Sequence, residues 1–135
     1  MKMHRNNLNT FLKSKGYNLE QSEVSKYFGD FFQLFSSPTI KIRLSSSKSS
    51  EMLDVSSVGE PNNWFDVALV KALIERESEL NKTAEIFSLI TFLVQKLETV
   101  EALFDSNSYN STKKKLEELE HKRVFQMFPN LKQEY

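Results

Sequence analysis

Hydrophobic positions along this chain change period twice, from helical to alternating and back to helical. Residues 4–15 set Leu8, Phe11 and Leu12 on one side of a short helix, and Gly16 is placed to end it in a left-handed turn. Tyr17 to Lys26 is a polar connection with isolated Leu19 and Val24, and it carries no clear period. Phe28, Phe31, Phe32, Leu34 and Phe35 then predict a strand buried on much of both faces, broken by Ser36-Ser37-Pro38. Ile40, Ile42 and Leu44 alternate with Lys41, Arg43 and Ser45, the cleanest period of two in the chain. Ser45 to Ser50 reads as a hairpin tip. Glu51 to Ser57 makes a third strand, with Leu53 and Val55 opposed to Met52, Asp54 and Ser56.

Beyond the third strand, Gly59-Glu60-Pro61-Asn62-Asn63 reads as a turn whose asparagines cap a helix. That helix, Trp64 to about Ser78, carries Phe65, Ala68, Leu69, Ala72 and Leu73 at helical spacing. A second runs from near Thr83 to Phe104 with Ile86, Leu89, Ile90, Leu93, Leu97, Val100 and Phe104 in one stripe. Asp105 to Ser108 interrupts it. A last helix spans about Tyr109 to Met127 and stops at Phe128-Pro129. The short break makes the last two helices an antiparallel pair. The expected architecture is therefore α+β in a single domain, 1–135. It has an N-terminal helix, a three-stranded antiparallel sheet and then three helices.

Composition narrows the chemistry more than the fold. The chain has no cysteine, which removes disulfides, thiolate metal sites and a cysteine nucleophile. Gly16, Gly29 and Gly59 are too scattered for a phosphate-binding loop. His4 and His121 lie in different helices among polar neighbours and read as surface residues rather than metal ligands. Basic and acidic residues balance at 18 each, and no region is strongly basic. The N-terminus lacks an apolar segment after its basic start, and no apolar run approaches the ~20 residues of a bilayer span. A cytoplasmic protein with no membrane segment and no cofactor is expected.

Two local features carry competing readings. Asp54, Glu60 and Asp66 bracket the passage from sheet to helix and could converge as paired carboxylates. Asp66 in a first helical turn is also explained by the helix dipole, and Asp54 by cross-strand pairing with Arg43 or Lys41. Trp64 and Phe65 form a wedge between sheet and helices, or else Trp64 is part-exposed and anchors a partner. Lys113-Lys114-Lys115 reads as a phosphate-binding stripe or, because Glu117 and Glu118 follow at i,i+4, as a solvated, salt-bridged face.

Phe28-Gly29-Asp30, Ile42-Arg43, Asp54-Val55-Ser56-Ser57, Pro61-Asn62-Asn63-Trp64-Phe65-Asp66 and the late Phe128-Pro129 together resemble a loose group of small bacterial proteins. These are mostly uncharacterised and carry a strand hairpin followed by a P-x-x-W-[FY]-D helix. The similarity covers residues 27–129. Some members look like immunity proteins of polymorphic toxin systems, and the resemblance implies a non-catalytic protein that neutralises a toxin by binding it. Val58-Gly59-Glu60 departs from the more regular glycine-serine turn of the group.

The resulting expectation is a non-enzymatic, cytoplasmic protein-binding protein of immunity or antitoxin type. Its partner-binding residues would be Asp54, Glu60, Trp64 and Asp66, with Arg43 as an internal counter-charge. The alternatives are a nucleic-acid-binding accessory using the sheet and Lys113 to Lys115, and a metal-dependent hydrolase built on Asp54 and Asp66. The oligomeric state is not legible in the sequence.

Overall fold

Strict alternation decides the centre of the molecule. In a computed structural model that describes residues 2–25, 30–47, 50–82 and 84–130, with only the backbone given for 2–5, Phe31–Ser36 and Ile40–Ser47 alternate buried and half-buried positions along their lengths. One face of the sheet therefore meets the core and the other faces outward. The helix α1 (Lys2–Ser14) comes first, followed by strands β1 (Asn18–Val24), β2 (Phe31–Ser36), β3 (Ile40–Ser47), β4 (Ser50–Ser57) and β5 (Glu60–Asp66). Helices α2 (Val67–Glu75), α3 (Ile86–Gln95), α4 (Leu97–Phe104) and α5 (Tyr109–Met127) complete the chain.

The strands pair in sequence order, β1-β2-β3-β4-β5, each antiparallel to the next. Register lines Phe35, Ile42, Val55 and Phe65 across four strands on the inner face, where all four are at most 2% exposed. Phe65 packs against Phe104 of α4, and Phe104 against Tyr109 of α5, with ring centroids 6.2 and 5.9 Å apart. Leu89, Ile90 and Leu93 of α3, Leu8 and Leu12 of α1, and Leu69 and Val70 of α2 fill the remaining core.

The α+β class stands, but the three-stranded sheet is corrected: among the described residues it has five strands. The polar connection after Gly16 contains β1, an edge strand whose outward side chains need not be apolar. The presumed turn at Glu60 to Asn63 is the first part of β5, and the actual turn is Val58-Gly59 alone. Pro61 is tolerated in β5 because this strand is also an edge, where a missing N–H breaks no ladder bond. Trp64, Phe65 and Asp66 thus belong to a strand rather than to a helix start. The P-x-x-W-F-D segment departs here from the helix expected by resemblance. Asp66, not an asparagine, caps α2.

The long helix predicted from Thr83 to Phe104 is two. Thr83 itself lies outside the described residues, and α3 begins at Ile86. Lys96, with φ −116° and ψ 20°, separates α3 from α4. Backbone bonds from Lys96 N–H to Phe92 O and from Val100 N–H to Lys96 O keep the apolar stripe continuous through the bend. The last helix has the expected bounds. Phe28, assigned to the second strand's run, and Lys48-Ser49 at the serine-rich tip also lie outside the described residues. Gly16 ends α1 at φ +86°, with the Tyr17 N–H reaching back to Leu12 O at 3.0 Å, the closing bond of a Schellman turn.

Candidate functional site

Arg43, Asp54 and Asp66 are cross-strand neighbours on the outer face: register sets Arg43 opposite Asp54, and Asp54 opposite Asp66. Two strand residues with the same parity share a face, so Trp64 stands with Asp66 on that side. Arg43 Nε and Nη2 both donate to Asp54 Oδ2, at 3.2 and 2.9 Å. The same guanidinium lies 4.4 Å from the centroid of the Trp64 ring. The expected Arg43–Asp54 pair is therefore present, and Arg43 serves a second purpose that a counter-charge reading does not contain. A flat cation on an indole face is attracted by the ring quadrupole while its edge keeps all donors free for the carboxylate.

Asp66 faces two ways. Its Oδ1 accepts the Ala68 N–H at 2.9 Å, capping α2, and its Oδ2 accepts from Arg123 Nη1 of α5 at the same distance. Burial pushes the Asp54 carboxyl above the ordinary carboxylate value, with the Arg43 hydrogen bond acting against it and Asp66 adding to it. Glu120, one turn before Arg123, is also raised by burial, and Arg123 opposes that shift.

Glu60 is not part of this cluster. At the opposite end of β5 it accepts from the Tyr109 hydroxyl at 2.6 Å and from Asn63 Nδ2 at 2.8 Å, with Lys113 Nζ at 3.1 Å. These donors, Tyr109 first, hold its carboxyl down to about 2. Burial and the same contact push the Tyr109 phenol upward. Lys113 is thereby turned across to β5 rather than toward Glu117. Because Lys113 meets Glu60 and Arg123 meets Asp66, α5 runs beside β5 in the same chain direction and covers that edge of the sheet.

The structure thus brings together Asp54, Trp64 and Asp66 and leaves Glu60 apart. Around the cluster the outer face also presents Met52, which is 49% exposed, and half-buried Phe32 and Leu34. Composition hid these three, but the alternation in their strands is the signal that places them outward. Two residues along β4 from Asp54, Ser56 is fully enclosed and its hydroxyl has no hydrogen-bond partner among the described residues. Trp64 is half-buried on the outer face and is not the wedge between sheet and helices; Phe65 fills that position.

As acid–base machinery the two aspartates are poorly disposed, since each carboxylate is already engaged by an arginine, and Asp66 also by a backbone donor. Among the described residues, no group of three or more histidines, aspartates and glutamates is placed to hold a metal ion. A cleft of about 730 Å³ lies elsewhere, among described residues of α2, α3 and the segment joining them. Within it Lys71 pairs with Glu75 and Glu77, and Lys82 with Glu79. Among the described residues no helix is long and apolar enough to cross a membrane. Comparison with protein-family models, with curated proteins and with solved structures gave no match to this chain.

Proposed function

We propose that this chain is a non-catalytic, cytoplasmic protein-binding protein, acting as an immunity or antitoxin-type inhibitor that covers a functional surface of a protein partner. The observation that carries this reading is half-buried Trp64 on the outer face of the sheet, with Arg43 stacked on its ring and Leu34, Phe32 and Met52 farther along the same face. A rigid, part-exposed tryptophan with an arginine beside it is the composition that dominates binding energy in protein interfaces. Stacking lowers the entropy that Trp64 would otherwise lose on docking. Asp66 supplies a polar margin, whereas Asp54 is enclosed and bonded to Arg43 and Glu60 is engaged by Tyr109, Asn63 and Lys113.

The nucleic-acid reading is weakened because Lys113, the first of the three consecutive lysines, is committed to Glu60. The experiment is partner capture from the native host, followed by affinity measurement with the purified partner. Trp64→Ala should weaken binding by about 1 kcal/mol or more while circular dichroism and melting remain those of a folded protein. Unchanged affinity in the folded variant removes the outer face as the binding surface. Retention of nucleic acid in place of protein, lost with rising salt, would favour the second reading.

A further inference from the structure

The two edges of this sheet are finished differently. β5 contains Pro61, which offers no N–H, and α5 lies along it through Lys113–Glu60 and Arg123–Asp66. Natural sheets close their edges with such devices because a bare strand recruits another strand. β1 has neither. Its sequence, Asn-Leu-Glu-Gln-Ser-Glu-Val, holds no proline or lysine. Among the described strands β2 is its only neighbour, and every residue of it except Leu19 is exposed. Its one irregularity is a register shift between Leu19 and Gln21.

We propose that β1 is a strand-addition site, and that its occupant is an extended basic segment of a protein partner. Unpaired main-chain groups on its outer side supply the hydrogen bonds, and the side chains set the charge. The two charged residues of β1 are Glu20 and Glu23, both exposed. Glu20 reaches Lys41 on β3 at 3.7 Å, whereas Glu23 stands opposite Phe32 at the margin of the open face. A second copy of this chain is a poor occupant. Antiparallel self-pairing along the whole strand would gather Glu20 and Glu23 of both copies into one ribbon, and like charges close together in a ladder are unfavourable. Lysine or arginine at alternate positions of an incoming strand removes that repulsion and gains cross-strand pairs instead.

The register line Glu23, Phe32, Ser45, Met52 runs from this edge across the outer face. An added strand would therefore extend the same surface on which Trp64 stands. The inference rests on the chain being a protein binder, but it needs no contact with Trp64.

The test titrates the isotope-labelled full chain with a peptide of alternating lysine and valine at millimolar concentration, observed by amide resonances and hydrogen exchange. A second peptide of identical sequence has alternate backbone nitrogens methylated. The expected result is shifted, newly protected amides at residues 18–24, with the methylated peptide weaker by about tenfold or more. Glu23→Lys should weaken the first peptide about fivefold, and Trp64→Ala should leave it unchanged. Equal binding of the two peptides, shifts centred away from β1, or no binding overturns the site. A dimer of the free protein that protects the β1 amides overturns the basic occupant in favour of a second copy. Failure of the Trp64 surface shows separately, in partner affinity alone.

Discussion

Arg43 on β3 reaches across β4 to lie over Trp64 on β5, its guanidinium 4.4 Å from the ring centroid. The same group holds Asp54 on the intervening strand at 2.9 Å, so one side chain ties three strands together on the open face. Asp54 is the more deeply placed partner, with 8% of its side chain exposed against 27% for Arg43. Removing the cation leaves an enclosed carboxylate unpaired, which costs more than removing both.

Arg43→Ala is therefore expected to lose about 2–3 kcal/mol at neutral pH, and Arg43→Ala with Asp54→Asn to recover part of it. The sign of the pH dependence follows from burial. Asp54 titrates above its ordinary 3.8 when folded, so the folded state takes up its proton first. The deficit of the single variant should shrink as pH falls through that raised pKa and persist above it. Urea unfolding of the three proteins across acid and neutral pH measures this. A double variant less stable than Arg43→Ala throughout would mean that Arg43 acts by covering Trp64 rather than by pairing with Asp54.

Asp66 separates a fold role from a binding role. Its Oδ1 caps α2 and its Oδ2 receives Arg123. Asp66→Ala loses both contacts and should cost about 1–2 kcal/mol, whereas Asp66→Asn keeps a capping oxygen and should cost under about 1 kcal/mol. A stability loss in the asparagine variant equal to that of alanine would show that the Arg123 contact, not the cap, dominates. Only the asparagine variant is thus suited to asking whether Asp66 meets a partner.

The sheet's centre was legible because β2 and β3 each put apolar residues on one face and polar or half-buried ones on the other. Its edges were not. β1 buries nothing fully, and its Leu19 and Val24 are separated by a register shift, so no alternation survives in the sequence. Pro61-Asn62-Asn63 has the composition of a turn, and only the tertiary cover provided by α5 makes it a strand. The same limit applies to the site. Arg43 and Asp54 face each other in a register that the hydrophobic alternation fixes, so their pairing could be anticipated. Trp64 over Arg43 requires β5, and Glu60 joined to Tyr109 and Lys113 requires α5 to lie beside it across 49 and 53 residues of chain. Within the predicted α3–α4 stripe, nothing in the apolar spacing marks the bend at Lys96.

Arg76 ends α2 in the left-handed region, with φ 56° and ψ 45°, where its N–H still reaches Ala72 O. A residue with a Cβ is strained there by roughly 1–2 kcal/mol, whereas glycine is not. Glycine loses more chain entropy on folding, which offsets part of the relief. Arg76→Gly is expected to raise stability by up to about 1 kcal/mol, read as a higher urea midpoint at unchanged slope. A lower midpoint would assign Arg76 a side-chain contribution to the α2–α3 cleft larger than its backbone strain.

Glu60 gives a pH dependence of the opposite sign to Asp54. Its carboxyl is held down to about 2 by Tyr109, Asn63 and Lys113, against an ordinary 4.5. A depressed carboxylate pKa means that the unfolded chain binds the proton first. Its contribution is therefore complete above 4.5 and declines as pH falls toward 2. Glutamine at this position still accepts the Tyr109 hydroxyl but cannot titrate, so Glu60→Gln should lack this part of the acid-side slope. The difference between the two stability profiles cancels Asp54 and the other shared groups, leaving a step confined to that window. Carboxyl-carbon resonances give the independent check: Glu60 should titrate near 2 in the wild type and higher in Tyr109→Phe, where the first of its donors is gone. A wild-type Glu60 titrating at 4.5 would break the link from α5 to β5, and with it the account of why this edge of the sheet is closed.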